Sequence, residues 1–165
     1  MNTDTTIEPL NNDYCDQIID IILSIQQIEF KLPITIQQQP DLLDIETNYH
    51  QTGGNFWGAK HDGLLAGTIG LIAFDNHGGA IRKMFVRKEY RGKELGIAQS
   101  LLDTLINYCR QNNITDIYLG TVDALKAAHR FYERNGFTRL SKAELPKSFP
   151  VMNTDTLFYS LHLTN

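Results

Sequence analysis

Between an apolar strand-like run, residues 80–86, and a helix-like run, residues 95–112, stands the basic stretch Arg91-Gly92-Lys93-Glu94-Leu95-Gly96-Ile97-Ala98. A strand that turns through such a loop into a helix is suited to hold an anion. The loop and the first helical turn offer backbone N–H groups without intrahelical partners, and the helix dipole adds partial positive charge. Glycine allows φ > 0 and close approach of the backbone to a guest. Arg91 and Lys93 add full charges. A phosphate or pyrophosphate is the natural ligand.

The spacing excludes two familiar phosphate loops. No Gly stands five residues before Gly92-Lys93 and no Ser or Thr follows Lys93, so the G-x-x-x-x-G-K-[ST] pattern is absent. The dinucleotide pattern G-x-G-x-x-G is absent as well. What is present resembles the acyl-CoA loop of the GNAT superfamily of N-acetyltransferases, [RQ]-x-x-G-x-[GA]. Gly96-Ile97-Ala98 supplies G-x-[GA], and Leu101-Leu102 follows at the family's distance. In strict register Lys93 holds the [RQ] place, while Val86 and Arg91-Gly92 fit only with Glu94-Leu95 as an insertion. Either Arg91 or Lys93 could therefore face a pyrophosphate. A second segment, Ala128-His129-Arg130-Phe131-Tyr132-Glu133-Arg134-Asn135-Gly136-Phe137, is similar to the family's A-x-x-F-Y-x-x-x-G-F. The resemblance runs from about Ile7 to about Leu163. Two departures stand out: Leu125 replaces the family's Asn, and Ala80 replaces a strand Glu that many relatives carry.

The resemblance implies acetyl-CoA as co-substrate and direct transfer of acetyl to a primary amine. It assigns backbone contacts with the pantetheine arm and the thioester to Met84, Phe85 and Val86. It places residues 91–98 against the pyrophosphate. It makes Tyr132 the group that hydrogen-bonds or protonates the departing thiolate; a tyrosine with ordinary pKa near ~10 can serve a thiol near ~8.5. No general base is evident. Glu29, at the end of the first expected helix, is the first candidate; a solvated helix-end carboxylate is the competing reading. Tyr49 and Trp57 could line an acceptor pocket or simply pack. Arg82 and Lys83 could meet an acidic acceptor or form a solvated strand face. The two departures are the support for an alternative function, a CoA-binding regulatory or interaction module with little turnover; the retained Tyr132 argues against it.

The elements that must position these residues are legible in outline. Asn11-Asn12-Asp13 can cap a helix over 18–30, whose apolar positions are Ile18, Ile21, Ile22, Ile25 and Ile28. Pro40-Asp41 opens a second helix toward Tyr49, broken at Gly53-Gly54. Residues 56–60, 64–74 and 80–86 read as an antiparallel meander, with Asp62-Gly63 as a tight turn. Strands at 117–121, 137–140 and 156–163 and a helix over 124–134 complete a mixed α/β (α+β) fold. The implied architecture is a GNAT-like central mixed sheet: an antiparallel meander, then a βαβα cofactor-binding half, with two strands splayed around acyl-CoA. The connection 141–155, with Pro146 and Pro150, is expected to form a variable rim.

Composition suits one domain over residues 1–165: 42% of residues are hydrophobic and 21% charged. A net charge of -4 argues against nucleic acid as a partner. The amine acceptor is the expected partner, and a homodimer is allowed. Cys15 and Cys109 read as free thiols of a cytoplasmic protein. No apolar run reaches membrane-spanning length, and the polar residues 1–5 do not read as a signal peptide. The histidines show no metal-ligand spacing, so no metal is expected.

Overall fold

The computed structural model describes residues 5–152 and 154–164; the polar start, residues 1–4, lies outside them. A seven-stranded sheet runs in the order β1-β2-β3-β4-β5-β7-β6. Its strands are β1 (Thr5–Pro9), β2 (Asn55–His61), β3 (Leu64–Phe74), β4 (Gly78–Val86), β5 (Asp116–Thr121), β6 (Thr138–Leu140) and β7 (Leu157–His162). All neighbours pair antiparallel except β4 and β5, which are parallel. The meander is the expected one. Its first turn holds Asp62 and Gly63 at φ 51° and 83°, as a tight two-residue hairpin requires.

Helices cover both faces. On one, α3 (Ile97–Gln111) buries Ile97, Leu101, Leu102, Leu105 and Cys109 against Ile69, Leu71 and Ile117 of the sheet. Phe137 and Tyr132, the latter from α4 (Lys126–Arg134), join this core. On the other, α1 (Cys15–Leu23) and α2 (Ile45–Asn48) enclose Ile18, Ile21, Ile22, Ile45, Tyr49 and Phe56. Among the described residues no helix is long and apolar enough to cross a membrane.

The first helix departs from its expected form. After Leu23 it widens into a π-helix, Ser24–Glu29, whose bonds include Phe30 N–H to Ile25 C=O at 3.0 Å. The wider turn rotates later side chains off the α-helical face. Ile28, expected in the core, is 75% exposed, and the polar Gln26 is buried instead. The second expected helix is likewise divided. A 3-10 turn, Pro40–Leu43, precedes α2, and Asp44 between them caps Thr47 N–H with its side chain at 3.1 Å.

Candidate active site

The parallel pairing of β4 and β5 covers only Gly78 to Ile81 against Asp116 to Leu119. Beyond it the two strands part. The cause lies in β4. Lys83 adopts φ 58°, and the register against β3 slips where Thr68 and Gly70 face Phe85 and Arg82. Two residues of β4, Lys83 and Met84, therefore oppose the single Ile69 of β3. A bulge of this kind bends the strand and raises its twist. The hydroxyl of Thr68 donates to the Lys83 carbonyl at 2.7 Å and pins the bulge from beneath.

A cleft occupies the gap. Ile81, Arg82, Lys83, Met84 and Phe85 line it from β4, and Leu119, Gly120 and Thr121 from β5. Ala128 and Tyr132 of α4 contribute another wall. Gln26, Leu32, Ile34 and Gln39 close it on the α1–α2 side, with Met152, Thr154 and Asp155 from the 141–155 connection. An outer pocket shares Ile34, Arg82, Met152 and Thr154 with this cleft and adds Pro40, Asp41 and Val151.

The basic loop sits between the end of β4 and α3. Gly92 and Gly96 take φ 121° and 60°, and Gly96 is the N-cap of α3 without any side-chain cap. The amides of Lys93, Glu94, Leu95, Ile97, Ala98 and Gln99 find no acceptor among the described residues; Gly96 N–H bonds Gly92 C=O at 3.2 Å. Here a helix start offers several donors at once to an anion. Lys93 is exposed and forms no ion pair among the described residues. Arg91 is differently placed. Its Nε donates to Val86 C=O at 2.8 Å, and its two terminal nitrogens reach the Glu29 carboxylate at 2.5 and 2.7 Å.

That pairing relocates Glu29. It does not line the cleft, and both its oxygens are taken by Arg91. The structure gives it no place among the groups that could receive an amine's proton there, because the π-helix ends at Glu29 and directs it to the loop.

Tyr132 does line the cleft. It is 5% exposed and packs edge-on to Phe131 and Phe137, with ring centroids at 5.6 and 5.4 Å. Its hydroxyl donates to Met84 Sδ at 3.3 Å, a weak acceptor. Burial raises its pKa well above the ordinary tyrosine value, so the phenol stays protonated as a donor.

The sequence did not show the polar cluster at the other end. Of the two readings of Arg82 and Lys83, an acidic-acceptor contact or a solvated strand face, the solvated face is not found. Lys83, 7% exposed, donates to Gln39 Oε1 at 2.6 Å and lies 3.8 Å from Asp41. Gln39 and Gln26 exchange amide hydrogen bonds at 2.8 and 3.2 Å, and Tyr49 donates to Asp41 at 2.6 Å. Tyr49 thus packs in the core and also braces this cluster, whereas Trp57 packs against Tyr108. Burial lowers the Lys83 ammonium to about 8, against the pull of Asp41. Arg82 donates to Pro150 C=O at 2.8 Å, and its Nε is buried without a partner. Burial raises the Asp155 carboxyl, opposed by the Arg82 and Lys83 charges. The only sequence signal for this cluster was a pair of cations in an apolar strand; the π-turn that buries Gln26 leaves no mark in the apolar spacing.

Comparison with known proteins agrees with this geometry. The model of the Acetyltransferase (GNAT) family matches residues 19–137. The N-acetylaspartate synthetase of Danio rerio is 36% identical over 106 residues, 63% of this chain and 37% of that protein. The probable N-acetyltransferase camello of Xenopus tropicalis is 30% identical over 122 residues, 72% of this chain and 55% of that protein. The chain thus spans roughly a third to a half of the length of such curated relatives. A solved GNAT-family acetyltransferase from Staphylococcus aureus Mu50 is 44% identical, with TM-score 0.94 over 98% of this chain and all of that one (100%). The PaiA N-acetyltransferase of Thermoplasma acidophilum, solved in complex with coenzyme A, shares the fold at 17% identity, with TM-score 0.74 over 97% of this chain and 99% of that one.

Proposed function

The chain belongs to the GNAT family of acetyltransferases, and on that premise we propose that it transfers acetyl from acetyl-CoA directly to a primary amine. The observation that carries the proposal is the parting of β4 and β5 beside a loop of unpaired amides. On this reading the two features serve the two ends of one cofactor. The free amides of residues 93–95 and 97–99 and the Lys93 ammonium take the pyrophosphate. The unpaired edge of β4 at Met84, Phe85 and Val86 takes the pantetheine arm. A backbone N–H of that edge polarises the thioester oxygen, where charge develops during attack.

Tyr132 then serves the leaving sulfur. Its hydroxyl is held in the cleft by only a weak bond to Met84 and can turn to a developing thiolate. The raised pKa makes it a hydrogen-bond donor and a relay rather than a free acid. No residue of either feature is a nucleophile poised for an acyl-enzyme, so transfer takes place with both substrates bound.

A thiol-release assay with acetyl-CoA and a broad amine panel tests the reading, alongside calorimetric titration with CoA. Amine-dependent thiol release supports it. Tight CoA binding with no amine turned over would favour the binding-module alternative, to which Leu125 and Ala80 lend some support.

A further inference from the structure

Arg82 and Asp155 line one cleft with opposite charges and do not pair. Neither takes part in a salt bridge among the described residues. Arg82 spends one terminal nitrogen on Pro150 C=O, at 2.8 Å, and leaves Nε buried without a partner. Its other terminal nitrogen makes no hydrogen bond among the described residues. The Asp155 carboxylate has no side-chain partner among the described residues and is met only by the backbone N–H of Met152, although it lies so close over β5 that a Cβ on Gly120 would stand 2.3 Å from its Oδ2. Lys83 differs, since Gln39 and Asp41 already engage it. Opposite charges in a partly desolvated cleft attract strongly. Two that stay apart, each with hydrogen-bonding capacity to spare, fit a guest that carries both complementary charges.

Resting on the acetyltransferase reading, we propose that the acceptor is an amino acid: Asp155 receives its ammonium and Arg82 its carboxylate. The orientation follows from the lining. Asp155 borders only the inner cleft, with Tyr132, whereas Arg82 borders the inner cleft and the outer pocket as well. The amine therefore enters first, toward the thioester, and the carboxylate trails toward Asp41 and Val151. Asp155 takes one proton from the ammonium. The freed amine forms the new N–C bond and the C–S bond breaks. The second proton leaves nitrogen and reaches the thiolate through the Tyr132 hydroxyl, while the proton on Asp155 passes to solvent. Burial of Asp155 raises its affinity for that proton.

The experiment compares L-amino acids with their own carboxamides, which keep the amine and lose the carboxylate; spermidine serves as a cation without an acid. Wild type, Arg82→Gln, Arg82→Lys and Asp155→Asn are assayed for thiol release. Calorimetry follows the best amino acid binding to CoA-loaded protein. One charge-assisted contact is worth about tenfold to a hundredfold in affinity. At least one amino acid should therefore exceed its carboxamide in kcat/KM by about tenfold or more. Arg82→Gln should raise KM for the acid alone and weaken its calorimetric binding by about tenfold or more, with Arg82→Lys in between. Asp155→Asn should lower kcat. Carboxamides or spermidine that are acetylated as well as the acids would overturn the proposal and leave the acetyltransferase standing. CoA binding with no acetylation of any amine would remove the acetyltransferase reading and this proposal with it.

Discussion

Arg91 and Glu29 close a two-pronged ion pair, Nη1 to Oε2 at 2.5 Å and Nη2 to Oε1 at 2.7 Å, across a sequence separation of 62 residues. The pair ties the end of the π-helix to the start of the basic loop. Arg91 Nε fixes the same guanidinium to Val86 C=O, and its face lies over the Phe30 ring at 5.8 Å. All three anchors restrain the backbone from which the free loop amides project. The two residues that looked like a phosphate cation and a general base thus work on each other.

Lys93, not Arg91, should then dominate the charge contact with CoA. Lys93→Ala should weaken CoA by about tenfold, the value of one charge-assisted contact to phosphate. Arg91→Ala should cost less in affinity and more in loop order. Calorimetry on both variants decides. A larger affinity loss in Arg91→Ala than in Lys93→Ala would reverse the assignment.

Glu29→Gln should leave the acceptor's KM and the pH dependence of kcat unchanged, because the carboxylate does not line the cleft. Its cost should appear in stability. The side chains of Arg91 and Glu29 are 36% and 24% exposed, so the loss should be on the order of 1 kcal/mol in denaturant titration. A displaced pH profile would restore Glu29 as a base.

Tyr132→Phe keeps the ring packing against Phe131 and Phe137 and removes only the hydroxyl. If that hydroxyl serves the leaving thiolate, kcat should fall by roughly 10²–10⁴-fold while CoA affinity stays constant. Unchanged turnover on a good acceptor would reduce Tyr132 to a core residue.

Gly96 is required for its backbone more than for its size. At φ 60° a side chain is strained, yet a Cβ there would meet nothing nearer than Lys93 C=O at 3.9 Å. Asn tolerates this conformation and a β-branched residue does not. Gly96→Asn should therefore be milder than Gly96→Val, by about 1 kcal/mol in urea titrations. Equal losses would mean that space, not conformation, governs the position.

The meander and the loop-to-helix motif were legible because local patterns determine them. The strand period, Asp62-Gly63 and the glycines of the loop each demand one local conformation. The acceptor end was not legible, because long-range placement creates it. Gln26 becomes polar lining only when the helix widens by one residue, and Lys83 becomes buried only when β4 bulges over Thr68. Asp155 reaches the cleft by way of the connection after β6, held where Phe149 packs on Phe158, a contact no spacing rule encodes.

The burial of Lys83 has a measurable signature in the pH dependence of stability. Its ammonium titrates at about 8 in the folded chain and at the ordinary 10.5 when unfolded. Below about pH 8 both states hold the proton, and folding bears the full cost of the buried charge. Between about 8 and 10.5 the folded chain has released the proton while the unfolded chain still holds it. The unfolded state then binds more protons, so Lys83 makes stability rise with pH across that window. Cys109 acts with opposite sign: burial pushes its thiol up to about 12 from 9.0, so above about pH 9 the unfolded chain loses that proton first and stability falls. The wild-type curve alone would mix the two. Lys83→Met keeps the length and apolar stem and leaves Cys109 untouched. The difference in unfolding free energy, wild type minus Lys83→Met, should therefore grow steadily from about pH 8 to about pH 10 in urea titrations. A difference that stays flat across that range would show that Lys83 keeps its ordinary pKa, and that the cluster of Gln26, Gln39 and Asp41 is open to water.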